Sequence, residues 1–306
     1  MKSLDPLGLV DIDPDAPELS GAVLVHALDG FIDAGSAVTV AREHLLASGE
    51  SSVVARFDVD QLFDYRARRP VMQFQADHWA SYDAPELAVH LLHDADEVPY
   101  LLLAGPEPDA QWERFVAAMQ HVVQELGVRL TVGMSAFPMS VPHTRPIPVI
   151  LHGSPSLHLE GHQPWLGTVS VPASIGHLLE FRLGQAGLDA MGVAVPVPPY
   201  LAAGRYPAAS LALLGEVAAR AGLQLPLAAL LEDAEKNRAA IDAEVAASTE
   251  VQTLVAALEQ QYEAAFGGER GSLLDAGARL PSADELGAEL ERFLADRARG
   301  EGSTGQ

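Results

Sequence analysis

Short β-rich runs alternate with longer Ala- and Leu-rich stretches of helical period, which predicts an α/β fold: a mixed, mostly parallel sheet sandwiched by helices. The apolar run VLV at 23–25 opens directly into HALDGFIDAGSA, a strand leading through a turn into a helix. LAVHLLHDADEVPYLLLA reads as an antiparallel hairpin turning at 94–98, so the sheet is mixed. After Val195 the β-rich runs cease, which leaves a C-terminal helical appendage.

In chain order the expected strands are 22–27, 52–57, 87–92, 100–104, 130–134, 167–171 and 190–195, each short and rich in β-branched or apolar residues. The expected helices between them are 36–48, 109–126, 174–185 and 207–221. Together these form an α/β core over residues 1–225. From Pro226 the segments LAALLEDAEKNRAAIDAEVAAS and TEVQTLVAALEQQYEAAF are helical by propensity, with Leu227, Leu230, Leu231, Ala234, Ile241 and Val245 roughly tracking one face. A helical extension is expected over 226–298, where Ser282 and Glu285 stand at capping-box spacing, and a disordered tail over 299–306.

Composition narrows the function. A formal charge of −23 excludes polyanionic partners such as nucleic acid or an anionic membrane surface, because those need clustered Lys and Arg. The only lysines are Lys2 and Lys236, so Schiff-base chemistry has little to use and arginine must carry any cationic role. With no cysteine there is no disulfide, thiolate nucleophile or cysteine-bound zinc, in keeping with a reducing cytoplasm. No window approaches the roughly 18 uninterrupted apolar residues of a membrane helix, and no signal-peptide core opens the chain.

Gly30 and Gly35 have the spacing of a phosphate-cradling loop, yet Ser36 stands where its lysine belongs, and Asp29 and Asp33 would repel phosphate. The stretch reads instead as a turn into a helix. In an open α/β sheet the loops leaving the carboxyl ends of the strands gather on one edge, the usual ligand site. LDGFIDAG, AGPEPD, SAFPMSVPHTRP and PVPPYLAAGRYP belong there, and they bring Asp29, Gly30, Asp33, Gly35, Glu107, His143, Arg145 and Tyr200 forward as candidate ligand-binding residues. Arg145, between Pro142 and Pro146, is placed to hold an anion, with Asp29 or Asp33 as its partner or as an acid/base group. The same residues also fit a plain reading in which Asp29 and Asp33 cap a helix, Glu107 is solvated and 142–146 is a stiff connector.

Other constellations are incomplete. HLEGH puts His158 and His162 four apart, but Gly161 and Pro164 oppose a helix and the glutamate is misplaced for a zincin, so no metal site is expected. FDVDQLFDYR lacks the Gly and bidentate Glu of a calcium loop, and its carboxylates are expected to pair with Arg66, Arg68 and Arg69. No Gly-x-Ser-x-Gly elbow occurs, and no cofactor motif is complete.

LDGFIDAGSA, FDVDQLFDYRARRP, LLLAGPEPDAQW, GMSAFPMSVPHTRP and VPVPPYLAAGRYP, in that order from about Leu24 to Leu231, resemble the actinobacterial branch of the proteasome assembly chaperone 2 family. That resemblance implies a phosphorylase/hydrolase-like α/β sandwich with a helical C-terminal extension. It further implies a protein-binding, assembly-chaperone-like role with proteasome subunits or another assembly client as partner, and a cytoplasmic homo-oligomer for which a trimer is expected. Some related chaperones dock through a hydrophobic-Tyr-any tail, whereas this sequence ends Ser303, Thr304, Gly305, Gln306. No catalytic set comes with the family. The alternative reading is an enzyme on a nucleoside-phosphorylase-like scaffold acting on a small anionic metabolite, with loop-edge carboxylates as acid or base.

Overall fold

A computed structural model describes residues 5–266 except 18, 31, 158 and 160–167. The elements below, apart from the last three residues of the final helix, belong to one compact unit, residues 1–162 and 171–263; the second, residues 163–170 and 264–306, lies almost entirely outside the described residues. So do the HLEGH stretch apart from Leu159, the capping box at Ser282 and the expected tail at 299–306.

The strands and helices run β1 (Val10–Ile12), β2 (Val23–Asp29), α1 (Ala37–Ala47), β3 (Ser52–Phe57), β4 (Met72–Gln75), β5 (His78–Tyr82), β6 (Ala88–His93), β7 (Pro99–Pro106), α2 (Trp112–Glu125), β8 (Leu130–Pro138), β9 (Ile150–Gly153), α3 (Ile175–Gln185), β10 (Ala190–Val197), α4 (Pro207–Ala221), α5 (Ala228–Ala246) and α6 (Thr249–Phe266). Eight strands form one sheet in the order β1-β3-β6-β7-β2-β8-β10-β9, while β4 and β5 form a separate hairpin. The centre, β7-β2-β8-β10, is parallel throughout. β3 runs the same way, because it is antiparallel to β6 and β6 is antiparallel to β7. The sheet is therefore mixed with most strands aligned. The expected hairpin is β6–β7, and its turn holds Asp94.

Both faces of the central strands are buried, as the apolar runs require. Alternation along β2 sends Val23, Val25 and Ala27 into a core with α1 and α4, and Leu24 into a second core with α2 and α3. α5 joins the first core through Leu230 and Ile241, while Leu231 points outward. Ser174 accepts a hydrogen bond from His177 N to start α3, and Gly222 ends α4 at a φ of 69°.

Two expectations are corrected. No strand forms over 168–171, and Val169 and Val171 are exposed; the outer neighbour of β10 is β9, a strand the sequence reading did not expect. Gly167 lies outside the described residues. The carboxylates of FDVDQLFDYR bind neighbouring groups and not the guanidinium groups of the following arginines: Asp58 accepts from Asp60 N, Asp60 from the Tyr65 hydroxyl, and Asp64 from the backbone N of Arg66.

Asp94 ties the β6–β7 turn to the end of α4. Its Oδ1 accepts from Asp96 N at 2.9 Å and Val98 N at 2.8 Å, and its Oδ2 accepts from Gln224 N at 2.7 Å. Asp94→Ala orphans three backbone donors at a buried position and is expected to lower unfolding free energy by about 2–3 kcal/mol, measured by chemical denaturation.

Candidate functional site

The parallel centre puts the carboxyl ends of β2, β7, β8 and β10 on one edge, so the loops after them meet there as the sequence implies. The candidate residues divide into two groups with different partners.

In the first group, Asp29 closes β2 and pairs with Arg42 of α1, Oδ1 to Nη1 at 2.5 Å. Asp33 turns back onto the same helix, its two carboxylate oxygens accepting from Val38 N at 2.8 Å and Thr39 N at 2.9 Å. That is the capping role, and it satisfies two donors that a helix start leaves open. Gly35 has a φ of 68° and packs so closely that an added Cβ would lie 2.9 Å from Tyr206 Cβ and 3.3 Å from Val197, so its loop is held against the start of α4 and the end of β10. Glu107 is not merely solvated: its Oε1 accepts from Ile175 N at 2.6 Å, at the positive end of α3. Its other oxygen faces Gly30, 3.9 Å from where a Cβ would stand. Arg68 bonds the Glu107 carbonyl and Asp109 through Nη2 at 2.5 and 2.7 Å and lies 4.5 Å over the Phe63 ring. Beside these groups an open cavity of about 490 Å³ is lined by Asp29, Arg42, Phe63, Arg68, Glu86 and His90.

In the second group, the loop PHTRP meets the C-terminal helices. The His143 side chain is buried, with Nδ1 2.6 Å from the Tyr200 hydroxyl and Nε2 3.2 Å from Asp242 Oδ1 of α5. Tyr200 also accepts from His143 N at 3.0 Å, so its hydroxyl is held from both the backbone and the ring of His143. Burial pushes Tyr200 up to about 12, which keeps it a proton donor. Arg145 does not meet Asp29 or Asp33. It pairs with α6, Nε to Glu263 at 2.7 Å and Nη1 to Glu259 at 3.1 Å, and Thr144 donates to the same Glu259. Tyr262 donates to the Pro146 carbonyl at 2.9 Å.

A third cluster lies on the sheet beneath α3. His26, Gly133, Gly192 and His152 stand in register across β2, β8, β10 and β9. The imidazoles occupy the space the glycines leave: a Cβ on Gly133 would lie 2.5 Å from the His26 ring, and one on Gly192 would lie 2.0 Å from the His152 ring. Gly176 of α3 closes over His26, and Glu180 holds His152 Nδ1 at 2.9 Å. The His177 ring stands 5.9 Å from that of His152. His26 Nε2 is buried without a hydrogen-bond partner among the described residues. No three metal-ligating side chains among the described residues are placed to hold an ion.

Arg42, Asp242, Glu259 and Glu263 escaped the sequence reading, and Arg68, expected to pair with the carboxylates before it, instead bonds the Glu107 carbonyl and Asp109. Glu259 and Glu263 carried a signal, two carboxylates one helical turn apart on one face. His26 carried another, as a polar residue inside an otherwise apolar strand.

A scan against family models matches residues 27–245 to the PAC2 family. Among solved structures, a Mycobacterium tuberculosis protein of unknown function is 47% identical, with 84% of this chain and 91% of that one covered at a TM-score of 0.80. A proteasome-assembly chaperone homologue from the same organism is 27% identical, covering 76% of this chain and 99% of that one at a TM-score of 0.69. An archaeal proteasome activator from Pyrococcus furiosus, 14% identical over 76% of this chain and 96% of that one, shares the fold at a TM-score of 0.58. No curated protein matches. No helix among the described residues is long and apolar enough to cross a membrane.

Burial pushes His26 down to about 4, with His177 and His152 adding to the shift. Between the ordinary value of 6.5 and about 4 the unfolded chain binds a proton at His26 that the folded chain refuses. Its contribution is thus whole above pH 6.5 and falls by about 3 kcal/mol as pH drops through that window. Melting curves from pH 7 to 4 are expected to show a shallower decline for His26→Leu, with the remaining decline owed partly to His177, whose value burial also lowers.

Proposed function

Because this chain belongs to the PAC2 family, we propose that it is a non-catalytic, assembly-chaperone-like protein whose partner is another protein, proteasome subunits foremost. The observation that carries this reading is the engagement of the edge side chains. Asp33 caps α1, Glu107 starts α3, His143 lies buried between Tyr200 and Asp242, and Arg145 clamps α6. Side chains spent in this way define a shape, and a shape suits recognition of a surface better than turnover of a metabolite. A catalytic acid or base needs a free proton-transfer atom in reach of its substrate. In the same reading the protein works in the cytoplasm as a homo-oligomer, with a trimer the expected count, and residues 226–298 act as an extension added to the α/β core.

Affinity capture of the intact protein from native cytosol, followed by mass spectrometry, is expected to return a stoichiometric protein partner. An empty capture with a metabolite bound to the purified chain would overturn the reading in favour of the enzyme. Arg145→Ala is expected to speed amide exchange across α6 and to leave captured partners unchanged. Loss of the partner with α6 still protected would make Arg145 a contact residue.

A further inference from the structure

β1 ends the eight-stranded sheet on one side, where its partner among the described strands is β3. Asp58 N donates to the Leu9 carbonyl and Asp13 N to that of Val54, each at 2.9 Å. Antiparallel pairing alternates, so Asp11 also faces β3, while Val10 and Ile12 turn their backbone groups to the open side. Val10 N is bonded to the Leu7 carbonyl, which leaves the Val10 carbonyl and both groups of Ile12 for a further strand. Beside this edge lies a groove of about 670 Å³, lined by Val10, Ile12, Ala16 and Leu126 together with Asp13 and Glu125. Residues 5–20 hold four aspartates and Glu18 but no lysine or arginine. Asp11, Asp13, Asp15 and Glu125 have no ion-pair partner among the described residues.

We propose that this edge takes an extended basic segment of the partner protein, which adds a strand to β1 and puts apolar side chains into the groove. The inference deepens the protein-partner reading and rests on it. Three observations select the occupant. Open groups at strand spacing are matched by an extended backbone, whereas a helix spends its own N–H and C=O groups internally. Side chains alternate along an added strand, so every second one turns to the face of Val10 and Ile12, where an apolar residue fits. Those between turn to the side of the exposed Asp11, where lysine or arginine is favoured. Charge also disfavours a second copy of this chain at the edge, because it would bring the same acidic stretch and the same −23.

The probe is an end-capped peptide of alternating valine and lysine, compared with one of alternating valine and glutamate, each titrated into the full chain. Fluorescence anisotropy is expected to show saturable binding of the lysine peptide alone, and amide exchange is expected to slow at Ile12 as it binds. Ile12→Pro deletes the outward N–H without removing a bond to β3, and is expected to lower the affinity by about tenfold or more. Glu125→Lys is expected to weaken the lysine peptide with unchanged circular dichroism, and it carries the test if the proline variant fails to fold. Equal binding of the two peptides, binding that leaves Ile12 exchange unaltered, or no binding overturns the proposal. Slow exchange at Ile12 in the free protein also overturns it: at every concentration, a segment of the same chain covers the edge, and only on concentrating, a second copy does. Equal capture of one cytosolic partner by the wild type and Ile12→Pro overturns the groove alone. An empty capture by the wild type overturns the wider protein-partner reading, and with it the assignment of the groove to that partner.

Discussion

Four adjacent parallel strands buried on both faces leave no room within the sheet for polar side chains that face water. The parallel pairing adds a second demand, since each return path must cross over a face and cover it with a helix. From these two demands follow the placement of α1 and α4 on one side, α2 and α3 on the other, and the gathering of loops at the carboxyl ends. The His26 ring sits deep because the neighbouring strand supplies glycine beside it.

The scarcity of lysine makes arginine the cation of this fold, and its main use is structural. Arg42 reaches the Ala27 carbonyl, Arg68 that of Glu107, Arg114 that of Asp5 and Arg129 that of Ala221. Each guanidinium joins two segments by bonding a carbonyl late in a strand, at the end of a helix or in a loop. A planar group with five donors can serve a carbonyl and a carboxylate together, as Arg68 does with Asp109, which an ammonium does less well.

The sheet strands with strong apolar runs were legible in the sequence, and so were the helices between them, because burial on both faces leaves a continuous signal. The gathering of four loops at one edge was legible for the same reason. β9 was not: it follows Pro146 and Pro148, and proline there reads as connector. β4 and β5 were hidden because an exposed hairpin has no burial pattern to display. The split of the candidate site was hidden too. Arg145 and Glu263 are 118 residues apart, and nothing local in either stretch announces the other. Local chemistry did announce the Asp33 cap, where a carboxylate precedes a helix by a few residues.

The His26–Gly133–Gly192–His152 row binds four strands into one unit of inheritance. A methyl group gained at Gly133 displaces a ring rooted in β2, and one gained at Gly192 displaces a ring rooted in β9. At Gly133 the buried His26 ring has nowhere to go, so a lineage can trade that glycine for alanine only after His26 has shrunk. At Gly192 the facing His152 ring is part exposed and can swing outward, so the constraint is tightest at the inner end of the row.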